Sequence, residues 1–222
     1  MSLFPIYLKL TAKPCLVVGA GNIAESKIQS LLDAEANVTV VATRVSQRVQ
    51  QQAEAGELTL HLREYEDADL EGMYLAVSGT DVPAVNRAVY AEAQRRGILV
   101  NAVDDPPYCD FYFPSIVRRG DLQIAISTAG ESPAFAMQLR RALNEALPHD
   151  IGPWLEELGR LRREVLQLEP LGEPRKQLLH LLAQREVCGA EACPSRQIAR
   201  QHAQENYPVR TADEAGAPGS RS

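Results

Sequence analysis

The chain of 222 residues is long enough for one α/β domain and a smaller companion, and its 45% apolar but only 5% aromatic residues require a mainly aliphatic core. A net charge of −6 argues against a nucleic-acid partner, whose phosphates need a basic face. No apolar run reaches membrane-spanning length, and Met1-Ser2-Leu3-Phe4-Pro5 lacks the basic start and apolar run of a signal peptide, so a cytoplasmic protein with no membrane partner is expected.

Pro5 to Leu10 alternates apolar and polar residues, which predicts a short edge strand. Cys15-Leu16-Val17-Val18 then runs into Gly19-Ala20-Gly21-Asn22-Ile23-Ala24, with Ile23, Ile28, Leu31 and Leu32 following at helical spacing. This is a strand, a tight turn and a helix, matching the G-x-G-x-x-G/A turn of a dinucleotide-binding fold. Gly19 lets the chain leave the strand sharply, Gly21 lets the backbone approach a pyrophosphate, and Ala24 lets helix and sheet pack closely. The helix N-terminus offers N–H groups and a positive dipole end to the phosphates.

Asn37 to Ala42 is the second strand. An acid usually stands at the end of this strand to hold the ribose hydroxyls of NAD, roughly 20 residues past the glycines. Here Ala42, Thr43 and Arg44 occupy the place. Thr43 and backbone groups are left for the ribose, Arg44 suits a 2′-phosphate, and these residues alone leave NAD and NADP open. Ser46 to Ala55 reads as a surface helix, Leu58 to Leu62 as the third strand and Tyr74 to Ser78 as the fourth. Thr80 follows at the carboxyl end of that strand, where such sheets contact their ligand. It is a candidate cofactor contact, or a cap for the next helix, Pro83 to Arg96. Ile98 to Val103 is the fifth strand, and Asp104 at its carboxyl end is a candidate general base. The prolines of Asp104-Asp105-Pro106-Pro107 are expected to exclude regular structure there.

The period then changes. Ser115 to Val117 and Leu122 to Ser127 flank Arg118-Arg119-Gly120-Asp121 and predict a hairpin. Ser132 caps a helix running from Pro133 to about Leu147, with Phe135, Leu139, Leu143 and Leu147 as an apolar stripe. Trp154 to Leu168 continues a helical pattern, and Arg175 to Glu186 and Ser195 to Glu205 are shorter helical segments. The expected organisation is a Rossmann-type α/β domain over 1–113, a strand-pair and helix region over 114–147, a helical domain over 148–205, and a disordered tail over 206–222. Cys15, Cys109, Cys188 and Cys193 read as free thiols. Cys188 and Cys193 come without the second ligand pair that a structural zinc site needs, and the four scattered histidines read as solvated or locally bonded, so no metal site is expected.

Several blocks, in order, resemble the precorrin-2 dehydrogenase and sirohydrochlorin ferrochelatase family, the N-terminal module of siroheme synthase. They are Pro5-Ile6-Tyr7, Val17 to Lys27, Asn101 to Pro106, Cys109-Asp110-Phe111, Phe113 to Val117, and Ala125 to Ala134. The resemblance covers about residues 3 to 150. It implies oxidation of precorrin-2 to sirohydrochlorin with NAD as hydride acceptor, on the way to siroheme or cobalamin, and a homodimer interlocked through the strand pair and long helix. The family's NAD contacts fall on Asn22, Ile23, Thr43 and Arg44, which favours NAD over NADP, and its catalytic aspartate falls on Asp104. Some relatives also insert iron into sirohydrochlorin with the same aspartate. A substrate so rich in carboxylates needs basic or hydroxyl partners, and Arg118, Arg119, Arg140, Ser127 and Thr128 are the candidates. The methyltransferase module of full siroheme synthase does not fit into 222 residues, so another protein is expected to make precorrin-2. A rival class is a non-catalytic NAD-sensing regulatory domain. Such domains share the glycine turn but normally keep the acid after the second strand, and they have no need of the blocks at Asn101 to Asp105 and Ser127 to Pro133.

Overall fold

The aliphatic run Pro14–Val18 forms β1, and helical and strand sequence alternate from it: α1 Asn22–Leu32, β2 Asn37–Ala42, α2 Gln47–Glu54, β3 Thr59–Leu62, β4 Leu75–Ser78, α3 Pro83–Arg96 and β5 Leu99–Ala102. The computed structural model describes residues 3–184, which divide into one unit over 3–113 and a second from 114 onward. In the first unit the strands are all parallel, in the order β3-β2-β1-β4-β5. β1 lies between β2 and β4, with Val17 opposite both Val40 and Val77. This is the Rossmann-type sheet expected from the sequence.

The side-chain period of a strand explains why β1 is apolar throughout. Cys15 and Val17 pack with Ala24, Ile28 and Leu31 of α1, while Leu16 and Val18 pack with Val89 and Ala93 of α3. Leu16, Val17, Ile28, Val40 and Val77 have no solvent exposure. Each such side chain contributes about 1.5–3 kcal/mol on burial. An exposed ion pair such as Arg48–Glu25, at 3.8 Å, is worth about 0–1 kcal/mol, so the aliphatic layers hold the sheet together.

The expected edge strand over Pro5 to Leu10 does not form. The segment pairs with neither edge strand of the sheet, β3 or β5, and Pro5 has no N–H for a ladder. Ile6 and Tyr7 stay exposed, while Leu10 is buried in the core and Leu8 packs half-buried against it. The prolines after Asp105 do not exclude regular structure either. They open a short 3-10 turn, Pro106–Tyr108, because fixed φ angles suit a first helical turn. A second 3-10 turn, Asp67–Leu70, had no periodic signal and was not foreseen.

In the second unit β6 Ser115–Arg119 and β7 Leu122–Ile126 pair antiparallel, with Arg119 opposite Leu122. The hairpin was expected, but Arg118 and Arg119 belong to the strand rather than the turn. The turn is Gly120-Asp121, where Gly120 supplies a positive φ of 56°. α4 Pro133–Ala146 is capped by Ser132, whose hydroxyl accepts from the Phe135 N–H at 3.2 Å. α5 Ile151–Leu168 and α6 Glu173–Ala183 follow. Gly152 lets α5 approach the hairpin, since a Cβ there would stand 3.0 Å from the Arg119 carbonyl oxygen. The helix expected over Ser195 to Glu205, the tail, Cys188, Cys193 and His202 lie outside the described residues. Among the described residues no helix is long and apolar enough to cross a membrane.

Candidate functional site

The turn between β1 and α1 sits where the strand order reverses. Gly19 has φ 93°, its N–H donates to the Val41 carbonyl at 2.8 Å, and the Gly79 N–H donates to Val18 at 2.9 Å. Gly79 also lies close to its neighbours: a Cβ there would meet the Ala24 side chain at 3.2 Å. Gly21 is different. It caps α1 with extended dihedrals (φ −70°, ψ 173°), no side chain caps the helix, and a Cβ built on it would meet nothing within 4 Å. α2 and α4, by contrast, are capped by Ser46 and Ser132. The α1 N-terminus thus presents its N–H groups and dipole to open space beside a bare backbone, a cradle that fits a pyrophosphate.

A cavity of about 780 Å³ opens there. It is lined by Val18 to Ile23 from the first turn, Val41 to Arg44 from the end of β2, Arg63 to Tyr65 past β3, and Gly79 to Val82 with Val85 past β4. The sequence-predicted cofactor residues Gly19, Gly21, Asn22, Ile23, Thr43, Arg44 and Thr80 all line it. Its size lies in the usual range for small-molecule sites. Thr80 does not cap α3, whose N-cap is Val82. Its hydroxyl accepts from the Val82 N–H at 3.2 Å and lies 2.8 Å from the Asn86 Oδ1. The Asn86 amide donates back to the Thr80 carbonyl at 3.0 Å, so a buried asparagine fixes the shape of this loop. Arg63, Glu64 and Tyr65 were missed by the sequence reading. The rule that ligands sit beyond the carboxyl ends of the strands, applied to β3, would have found them. Arg63 is held by a bidentate pair with Asp69 at 2.5 and 2.9 Å, and this pairing holds the Asp69 carboxyl below the usual range.

Asp104 stands at the carboxyl end of β5 with a left-handed φ of 61°, and its side chain is exposed. The segment after it is tied back to β5 by polar groups. Asn101, buried in the strand, donates to the Phe111 carbonyl at 2.7 Å. The Cys109 thiol donates to the Ala102 carbonyl at 3.0 Å, and burial pushes that thiol up. The Asp110 carboxylate accepts from the Val100 N–H at 3.0 Å and from Gln94 at 2.8 Å. This return brings Phe113 beneath α1, where the Lys27 ammonium lies 4.4 Å from its ring centroid. Burial pulls Lys27 below the usual lysine range, while the charge of Asp104 draws it back up. The sequence reading gave Lys27 no role; the resemblance block contained it, but no spacing rule links a helix lysine to a loop aspartate.

The remaining candidates belong to the second unit. Arg119 donates to the Asn144 carbonyl of α4 at 2.8 Å and to the Arg118 carbonyl at 3.0 Å, so its guanidinium braces the hairpin. Arg118 is exposed and Arg140 half-buried. The Ser127 hydroxyl accepts from the Ala129 N–H at 3.1 Å, and the Thr128 hydroxyl accepts from the Ser132 N–H at 3.2 Å, which shapes the turn before α4. Among the described residues no group of three or more His, Cys, Asp and Glu side chains is arranged to hold a metal ion.

Residues 6–115 match the family model described as "Putative NAD(P)-binding", and residues 119–146 match the model described as "Sirohaem biosynthesis protein central". The chain belongs to this sirohaem-biosynthesis family. Its cofactor class is a nicotinamide dinucleotide. Within the family it is 42% identical to the siroheme synthase of Methylococcus capsulatus over 175 residues, which is 79% of this chain and 36% of that protein. It is 37% identical to siroheme synthase 1 of Aeromonas salmonicida over 220 residues, 99% of this chain and 46% of that protein. The chain therefore spans between a third and a half of the curated relatives it matches. A solved structure titled "SirC, precorrin-2 dehydrogenase" shares the fold, with a TM-score of 0.76 and 24% identity, covering 91% of this chain and all of that one. The family expected from the sequence blocks and the Rossmann-type fold are both borne out.

Proposed function

We propose that this protein oxidises precorrin-2 to sirohydrochlorin with NAD. The observation that carries this reading is the pairing of an open glycine cradle at the α1 N-terminus with Asp104, placed by a left-handed backbone at the end of β5. Forming one new double bond in the macrocycle removes a hydride and a proton. NAD supplies the hydride acceptor when bound. The chain supplies the rest. Gly19, Gly21, Asn22 and Ile23 hold the pyrophosphate, Thr43 and Thr80 take the ribose side, and Asp104 accepts the proton from the macrocycle as general base. Lys27 of α1 lies within electrostatic reach of Asp104, which joins the α1 side of the cleft to the end of β5. We assign the family's homodimer to the face of α4 that leaves Phe135 half-exposed, and the protein to the cytoplasm.

Anaerobic incubation with precorrin-2 and NAD, followed through sirohydrochlorin absorbance, tests the reading. Turnover supports it. Tight NADH binding without turnover would instead favour a sensing domain. Arg118 and Arg140 are the candidates for the substrate carboxylates, with Ser127 and Thr128. Arg118→Ala is expected to raise KM about tenfold with little change in kcat, the result for a group that binds substrate and transition state alike. An unchanged KM removes Arg118 from the site. Arg119→Ala is expected to lower the melting temperature instead, because its hydrogen bonds brace the hairpin on α4.

A further inference from the structure

The residues past β2 lack the acid that normally selects NAD, yet the cleft does not lack a carboxylate. Asp81, in the loop after β4, reaches the residue that follows Thr43: its Oδ2 lies 3.3 Å from the Arg44 Nη2, and both side chains line the cofactor cavity. Without that partner, Arg44 would be a free guanidinium at the place where a 2′-phosphate is received in NADP-binding folds. We propose that Asp81 is the specificity-determining acid of this cleft, discriminating against NADP by occupying Arg44 and repelling the 2′-phosphate. The carboxylate comes from the neighbouring crossover loop instead of from β2. This deepens the NAD assignment made above and rests on the cofactor cleft, not on the identity of the macrocycle.

The local architecture supports a fixed position for Asp81. Thr80, immediately before it, is locked to Asn86 through its hydroxyl, its N–H and its carbonyl. Val82, immediately after it, donates its N–H to the Thr80 hydroxyl. The loop is therefore shaped from within by a buried asparagine, and Asp81 is left to project toward Arg44. The side chains are 86% and 80% exposed, and an ion pair so exposed contributes little to stability. Removing the charge should therefore leave the fold intact, and its value to the protein lies in choosing between ligands. A carboxylate beside a phosphate dianion is a repulsive element, the usual means of rejecting a near-identical competitor.

The test is direct titration of the full chain with NADH and NADPH, which needs no macrocycle. Asp81→Asn keeps the side-chain shape and removes the charge. Its ratio of NADPH to NADH affinity is expected to move about tenfold toward NADPH. Asp81→Ser should move it the same way. Adding Arg44→Ala to Asp81→Asn is expected to shrink that gain, because the phosphate then has no receiver and only the lifted repulsion remains. An unchanged ratio in both Asp81 variants, or a gain left at full size by loss of Arg44, overturns the proposal. Binding of neither nucleotide by the native chain overturns the cofactor cleft itself. Absence of precorrin-2 turnover, by contrast, would sink the dehydrogenase reading and leave this result standing.

Discussion

Asp104→Asn is expected to lower precorrin-2 turnover by two to four orders of magnitude, the usual contribution of a general base, while NADH still binds. Asparagine is the substitution of choice because the residue has φ 61°. Among residues with a Cβ, Asn and Asp tolerate the left-handed region best, so the backbone keeps its course and only the proton acceptor is lost. Alanine would mix loss of the base with strain of about 1–2 kcal/mol. Asp104 does not line the cavity proposed for the cofactor, whose walls come from the ends of β1 to β4, so NADH affinity serves as an independent control. Rates from anaerobic conversion and affinities from NADH titration, measured on one preparation, decide the matter. Equal rates for the native and variant chains would reduce Asp104 to a solvated loop acid. A parallel fall in rate and NADH affinity would make it a structural element of the β5 end.

Most of the first unit can be read from residue pattern because each element is locally self-consistent. Val17-Val18-Gly19 and the β-branched run from Val38 to Val41 have only one good solution, a strand buried on both faces. Ser46, Pro83 and Ser132 mark helix starts through cap chemistry, and the helices begin within a residue of them. Pro5 to Leu10 misled because alternation over six residues does not say whether the segment pairs with a sheet at all, and here it joins no ladder. The glycine-turn side of the candidate cleft could be read from the sequence because that turn is local. The pairings of Asp81 with Arg44, Lys27 with Phe113, and Asn101 with Phe111 were not, since they join residues 37, 86 and 10 positions apart through the crossovers and the return loop. The role of Asp104 was suggested by a strand end and a resemblance, but its left-handed backbone had no sequence signal beyond the residue type.

Gly19 and Gly21 belong to the same turn, yet their alanine variants are expected to fail in opposite ways. Gly19 has φ 93°, and a Cβ there would lie 2.8 Å from the Gly79 carbonyl oxygen and 3.0 Å from the Thr80 Cγ2. The first obstacle is backbone in the crowded centre of the sheet, so nothing can rotate away. Left-handed strain of about 1–2 kcal/mol adds to overpacking of about 1–3 kcal/mol, so Gly19→Ala is expected to destabilise the first unit by about 2–5 kcal/mol. That is a large fraction of the stability of a domain of this size, and the loss should appear as a lowered urea midpoint with or without coenzyme. Gly21 has ordinary extended dihedrals and open space around the missing Cβ. Gly21→Ala should leave the urea midpoint of the free protein nearly unchanged, because no contact is violated and alanine restricts the unfolded chain slightly. The methyl group instead enters the cradle at the α1 N-terminus. NADH affinity should fall tenfold or more, and the stabilisation that saturating NADH confers on the native chain should shrink with it. The two variants thus separate the glycine that shapes the turn from the glycine that leaves room for the ligand. Undiminished NADH binding by Gly21→Ala would show that the pyrophosphate does not lie against this backbone, and the cofactor cleft would have to be sought elsewhere along the strand ends.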